Sequence, residues 1–405
     1  MTGTSTADSP RAVRISSPDT GLHALGPLLS AAHAASGDVP ALLELAQTAA
    51  GTAPSPGDGR TAQLWEILAS VTAVDVAAGR VLEPHLDAAA ILAQASTAST
   101  ASTASTASTA STASTASTAS TASTASTAST ATTAGAAPAD RGPAEAEGLR
   151  PAGTWGVFAA EAAGLRLEAR PTGNGFRLHG SKPWCSLAAQ LDGAVVTAHT
   201  DAGARAAFAV DLRAPGVDVA DPGWTSRGLR EIPSGTVHFE DVPAVPLGGP
   251  GWYYRRPGFA WGGMGVAACW FGGAVAVARG FAGSLRDTAA GGRDPDQVAL
   301  AHLGEIDRTL SALRACLAQA AARIDAGDLS GPGAWNEALR VRGTVASAVG
   351  HIQSLVSQNL GPGPLVFDEQ YGKRMADLSL YLLQHRAMRD DAQLGGLTLA
   401  GGDPW

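Results

Sequence analysis

The sequence predicts an α+β fold in which a helical N-terminal region, a middle antiparallel β-domain and a C-terminal helical bundle follow one another. Three observations carry this: apolar residues at helical spacing before residue 95, a switch to period two after Thr154, and long Ala- and Leu-rich helical runs after Gly251. Between the first two regions a Ser-Thr-Ala triplet repeats twelve times, from Ser96 to Ala131. Setting its 36 residues aside leaves about 369 of 405 to fold, enough for a sizeable core in more than one domain.

In the first region Leu22, Leu25, Leu28 and Leu29 recur at helical spacing, as do Ile67, Val71, Val74, Ala78, Val81 and Leu82. Glu83, His85 and Asp87 follow, and on a helix their side chains diverge, which suits a solvated or interdomain face better than a metal site. The repeat and the Pro-, Gly- and Glu-rich stretch after it bury too little apolar surface to offset chain entropy, so a disordered linker, an insertion in a surface loop, is expected over 96–153.

From Thr154 to residue 250 the signals are those of strands. Leu165, Leu167 and Ala169 alternate with charged residues, Thr172-Gly173-Asn174-Gly175 supplies a turn, and Phe176 and Leu178 resume the alternation, which is an antiparallel hairpin. Further strands are expected at Ala194–Ala198, Ala206–Leu212 and Thr236–Glu240. Beyond residue 251, helices are expected over Ala301–Ala326, Ala334–Leu360 and Arg374–Leu394. The domains are thus 15–95, 154–250 and 251–405, with 96–153 as linker.

Pro257 to Ala278 runs without a charge, but its six glycines and many alanines read as a buried core helix rather than a membrane span. The net charge of −8 argues against nucleic-acid binding, which needs clustered Lys and Arg. Cys185, Cys269 and Cys316 are odd in number and far apart, with no Cys-x-x-Cys pair, so a reducing cytoplasmic setting and no metal centre are expected. Met1 to Arg14 lacks the apolar stretch of a secretory signal. Phosphate-loop, zinc-protease and nucleophile-elbow motifs are absent. Gly263-Met264-Gly265 matches the loose start of a dinucleotide motif outside any βαβ unit and is read as close helix packing.

The informative stretch is Gly180-Ser181-Lys182-Pro183-Trp184-Cys185-Ser186 after the hairpin, where Trp184 is either core or a stacking platform for a planar ring. With Ser234-Gly235-Thr236-Val237-His238-Phe239-Glu240-Asp241-Val242-Pro243, and with Arg286 eleven residues before Gln297, it makes the chain resemble the acyl-CoA dehydrogenase superfamily. The resemblance implies that family's three-domain fold, homodimeric or homotetrameric assembly, and an FAD site. Trp184 would pack on the flavin ring, Ser186 would hydrogen-bond near its N5, and Arg286 and Gln297 would serve the rest of the cofactor, the guanidinium fork matching phosphate oxygens.

Two departures bear on activity. Ala160-Glu161-Ala162 runs straight into Ala163-Gly164-Leu165, as though about six residues of the family's Gly-Ser-Asp flavin loop were removed. Counting eight from Asp377 reaches His385 where many members carry the glutamate of Tyr-Glu-Gly, the base that takes the α-proton of an acyl thioester; Glu369 is a weak substitute. Histidine as a residue type can accept a proton near neutral pH, and flavin monooxygenases on the same fold use histidines near the flavin. Three readings therefore stand: an FAD-dependent oxidoreductase acting on the CH-CH group of a small substrate such as acyl-CoA, with an electron acceptor; a reduced-flavin monooxygenase with a partner reductase; and a catalytically silent homologue. His385 is the candidate catalytic residue in the first two.

Overall fold

The computed structural model describes residues 10–16, 21–114, 153–173, 175–200, 203–331 and 333–401. A short 3-10 turn (Leu22–Leu25) leads into α1 (Gly26–Ala34), α2 (Val39–Ala50), α3 (Thr61–Val74) and α4 (Val76–Ser114). Asp38 caps α2, accepting from Ala41 N at 3.2 Å, and satisfies one of the donors a helix start leaves unpaired. The chain therefore remains helical through the first triplets of the repeat, a correction to the disorder expected from Ser96. Alanine is the best helix former, and extending a helix already nucleated by packing costs little per residue. Residues 115–152, which hold the rest of the repeat, lie outside the described residues.

Seven strands follow: β1 (Trp155–Phe158), β2 (Leu167–Thr172), β3 (Gly175–Ser186), β4 (Gly193–His199), β5 (Arg205–Asp211), β6 (Val217–Val219) and β7 (Ser234–Leu247). The expected hairpin is β2–β3, with Thr172 opposite Gly175; Asn174 of its turn lies outside the described residues. The sheet runs β1-β4-β2-β3-β7-β5 and closes on itself through β4–β5, with β6 added to β7. Among the described residues, closure leaves edges only at β1 and β6, each of which pairs with a single strand. Two pairings, β1–β4 and β2–β4, are parallel, where an antiparallel domain was expected. The intervening hairpin makes the connection from β1 to β4 long enough for a crossover, which a parallel pair requires.

The C-terminal helices are α5 (Trp252–Arg255), α6 (Pro257–Ala290), α7 (Gln297–Asp325), α8 (Gly333–Leu360), α9 (Gly363–Phe367), α10 (Glu369–Leu382) and α11 (Met388–Ala400). The helix expected from Arg374 to Leu394 is two helices, broken at residues 383–387, where Ala387 has a φ of 45° that no α-helix tolerates. Helix α6, which contains the long uncharged run, is the axis of the bundle, packing against α3, α7, α8 and α10. By length and composition it could cross a membrane, but it is mostly buried among the other helices. Gly272 sets its approach to α3, since a Cβ there would collide with the carbonyl of Ala69.

One apolar cluster joins residues of all three regions, and a smaller one seals α4 against the sheet through Ile91, Trp155, Val195 and Tyr253. At that seam His85 Nδ1 accepts from Trp155 N at 3.1 Å, deep in the interior. Burial holds its pKa below the ordinary histidine value. Asp87 faces Arg256 at 3.7 Å and lines one cavity with Glu83, one turn before it on the same face of α4, so only His85 diverges, a correction to the expected divergence of all three; the groups are interdomain rather than solvated.

Candidate functional site

Strand β3 carries the first part of the site. Trp184 lies at an irregularity in the β3–β7 ladder, with a φ of 59° and 60% of its surface exposed. A bulky residue in the left-handed region is strained, and its ring is offered to solvent instead of the core. Trp184 is therefore not a core residue. Beside it Lys182 is 1% exposed and donates to Glu161 at 2.8 Å and Thr197 at 3.0 Å. Burial lowers the Lys182 pKa, an effect the Glu161 partnership opposes. Glu161 also meets His199 at 3.2 Å and Arg205 at 3.3 Å, and although burial works against its charge, these partners hold its carboxyl below the usual range. The shortened loop is thus pinned to β3 by an ion pair whose lysine is buried and whose carboxylate is partly open to solvent.

Two residues on, Ser186 Oγ meets Ser234 Oγ at 2.8 Å and accepts from Arg80 Nη2 at 3.0 Å. Arg80 belongs to α4, and its guanidinium lies 5.9 Å from the ring centre of Tyr381 on α10. Tyr381 packs edge-on against Trp270 of α6, with centroids 6.2 Å apart. Arg342 of α8 lies over the ring of Trp270 at 4.8 Å, donating at 2.9 Å to both Gly263 O and Gln384 O. Next to Gln384, His385 is buried against Gly343, its Nδ1 3.2 Å from Asp390 Oδ2. A continuous seam of aromatic and cationic groups therefore connects Ser186 to His385.

Glu83, one turn beyond Arg80, lines a cavity of about 90 Å³ with Trp65, Asp87 and Trp261. Burial pushes its carboxyl up to about 7, against the nearby positive charges of Arg80 and Arg342. Burial likewise pushes the Cys269 thiol up to about 12, leaving an inert side chain. Arg80, Glu83, Trp270, Arg342 and Tyr381 were not legible as site residues, because they come from four helices and share no local motif.

The other two candidates stand apart. Arg286 is exposed on α6 and Gln297 is exposed at the start of α7. Arg286 lies sixteen residues beyond Trp270, which is roughly 24 Å along a helix. Neither reaches Trp184 or His385 within this chain. Glu369 is exposed too and pairs with Arg230 at 2.5 Å, away from His385.

Elsewhere Asp75, Glu231 and Asp377 bring carboxylate oxygens within 4.8 Å of one another. Lys373 sits among them, its Nζ 3.4, 2.8 and 2.5 Å away respectively, so an ammonium holds the place between the carboxylates and partly offsets their charge. Asp377 also accepts from Leu229 N at 2.6 Å. The cluster clamps α4, the segment before β7 and α10 together.

Residues 159–242 match the acyl-CoA dehydrogenase middle domain. No curated protein matches the chain in sequence. Among solved structures, KijD3 in complex with FMN and a dTDP-linked amino-keto sugar is 18% identical, with a TM-score of 0.71 over 96% of each chain. Nitrososynthase from Micromonospora carbonacea var. africana is 17% identical, with a TM-score of 0.71 over 96% of this chain and 99% of that one. FMN-bound TdsC from Paenibacillus sp. A11-2 is 17% identical, with a TM-score of 0.68 over 93% and 96%. At such identities these likenesses show the fold.

Proposed function

From an acyl-CoA dehydrogenase-like fold with a middle domain of that family, we propose that the protein is a flavin-dependent monooxygenase acting on a compact substrate, served by a reductase. The carrying observation is the filled interior beside His385. Arg342, Trp270 and Tyr381 occupy the space between α6, α8 and α10. The adjoining cavities are small, about 90 Å³ at Glu83 and about 20 Å³ at Ser186, and neither forms a tunnel for a long acyl chain. TdsC from Paenibacillus sp. A11-2 is a dibenzothiophene monooxygenase, and the likeness to it supports the same reading.

The residues present fit a flavin ring. Trp184 offers an unburied aromatic face on a strained backbone position, and the Ser186 and Ser234 hydroxyls stand beside it as hydrogen-bonding groups. Bound flavin supplies the redox chemistry. This chain's own part is to orient the ring through Trp184 and Ser186, to fix Ser186 through Arg80, and to exclude water with Trp270 and Tyr381. His385 moves a proton at Nε2 while Asp390 faces its Nδ1. FMN is the flavin named with KijD3 and with TdsC, and that favours FMN over FAD.

One observation favours the dehydrogenase reading instead: Glu83 is a carboxyl with a pKa raised to about 7, suited to a general base. Purified protein separates the two. Turnover only with supplied reduced flavin and oxygen supports the monooxygenase; anaerobic bleaching of bound flavin by acyl-CoA supports the dehydrogenase. A protein that binds neither FMN nor FAD overturns both and leaves the silent homologue.

A further inference from the structure

At the end of the bundle away from His385, a cleft of about 250 Å³ opens between the segment at Arg11, α1, the end of α3, α6 and the first turns of α10. Three guanidinium groups, Arg11, Arg279 and Arg374, and the imidazole of His33 line it, and no carboxylate does. In a chain of net charge −8 such a grouping runs against the average surface. Gathering like charges costs free energy unless something neutralises them.

Each arginine is placed differently. Arg279 is fixed, donating to the carbonyls of Arg11 at 2.7 Å and Ala12 at 2.8 Å. Burial and the charge of Arg11 lower its pKa, the mark of a cation short of counter-charge. Arg374 makes no hydrogen bond or ion pair among the described residues; burial lowers its pKa although Asp75, Asp368 and Asp377 act on it from a distance. The nearest acids are committed: Asp75 and Asp377 both pair with Lys373. Ala73, Ala276 and Gly280 keep the floor low, and a Cβ at Gly280 would meet open space.

We propose that this cleft binds a phosphate-bearing small molecule, held by Arg374 and Arg11 against the fixed Arg279. Guanidinium forks match phosphate oxygens two by two. The volume is about eight times the roughly 30 Å³ share of one water, so a phosphate fits with part of its carrier. Arg374 lies in the second turn of α10 and His385 beyond its end at Leu382, and the residues lining the cleft include none of those placed around Trp184, Ser186 and His385, so the cleft is separate from the flavin place.

Calorimetric titration of the full chain with inorganic phosphate and with pyrophosphate tests this. The expected result is saturable binding of one anion per chain, weakening as ionic strength rises and falling about tenfold or more in Arg374→Met. Arg374→Lys, which keeps the charge and loses the fork, falls between. Arg11→Ala weakens binding without touching the core, which keeps the test open if Arg374→Met fails to fold. Arg314→Ala, an exposed site on α7 outside the cleft, retains wild-type affinity. Heats that never saturate, or equal affinity in wild type, Arg374→Met and Arg11→Ala, overturn the proposal.

Discussion

Arg80 of α4 donates to the hydroxyl of Ser186 on β3 at 3.0 Å, and the same guanidinium faces the ring of Tyr381 on α10. One side chain thus brings the N-terminal helices, the sheet and the C-terminal bundle to a single point. Replacing it with leucine removes a charge-assisted hydrogen bond. Arg80→Leu is expected to weaken flavin binding while leaving the closed sheet intact, checked by flavin fluorescence titration beside far-ultraviolet circular dichroism.

Trp184 buries little of itself, so it contributes to binding more than to folding. Trp184→Ala should lower flavin affinity about two- to tenfold, in line with aromatic pair energies of about 0.5–1.5 kcal/mol, and should shift the unfolding midpoint little. Unchanged affinity would remove the stacking role.

Glu83 gives a pH signature. Its pKa is raised to about 7 from an ordinary value of 4.5, so between those values the folded state holds a proton that the unfolded chain has released. Stability from this group is therefore present below about 4.5 and is lost as pH rises towards 7. Glu83→Gln should flatten that part of the stability profile by about 1–3 kcal/mol, measured by urea unfolding at several pH values.

Lys373 pairs with three carboxylates between domains. Burial disfavours its charge, but Asp75, Asp377 and Glu231 outweigh that and raise its pKa. Lys373→Met leaves buried acids unpaired and should cost about 3–5 kcal/mol in urea denaturation. A change within about 0.5 kcal/mol would show the clamp to be solvated instead.

Gly272 offers a steric test. Gly272→Ala would push α6 away from α3 at Ala69 and should destabilise by about 1–3 kcal/mol, read as a lower thermal midpoint.

Much of this fold could be read locally. The period-two alternation around the β2–β3 turn fixed a hairpin because side chains on a strand must face alternate sides. The Ala-rich runs fixed helices, even within the repeat, where entropy arguments alone pointed to disorder. Position counting from Asp377 to His385 chose a residue that the structure buries beside Arg342 and Gln384, whereas Arg286 and Gln297 have spacing alone and sit on open surface. The break at residues 383–387 escaped notice because no glycine or proline marks it.

By itself the sequence determined the order of helices, sheet and helices, the site of the repeat between them, and the Trp184–Ser186 strand, because each is encoded over a few consecutive residues. Only the tertiary structure decided that Arg80 would meet Ser186, that Trp270, Tyr381 and Arg342 would close the interior, and that Lys373 would answer three carboxylates. Those contacts join residues far apart in the chain. Their energies depend on distance and burial, which exist only once helices and sheet have packed.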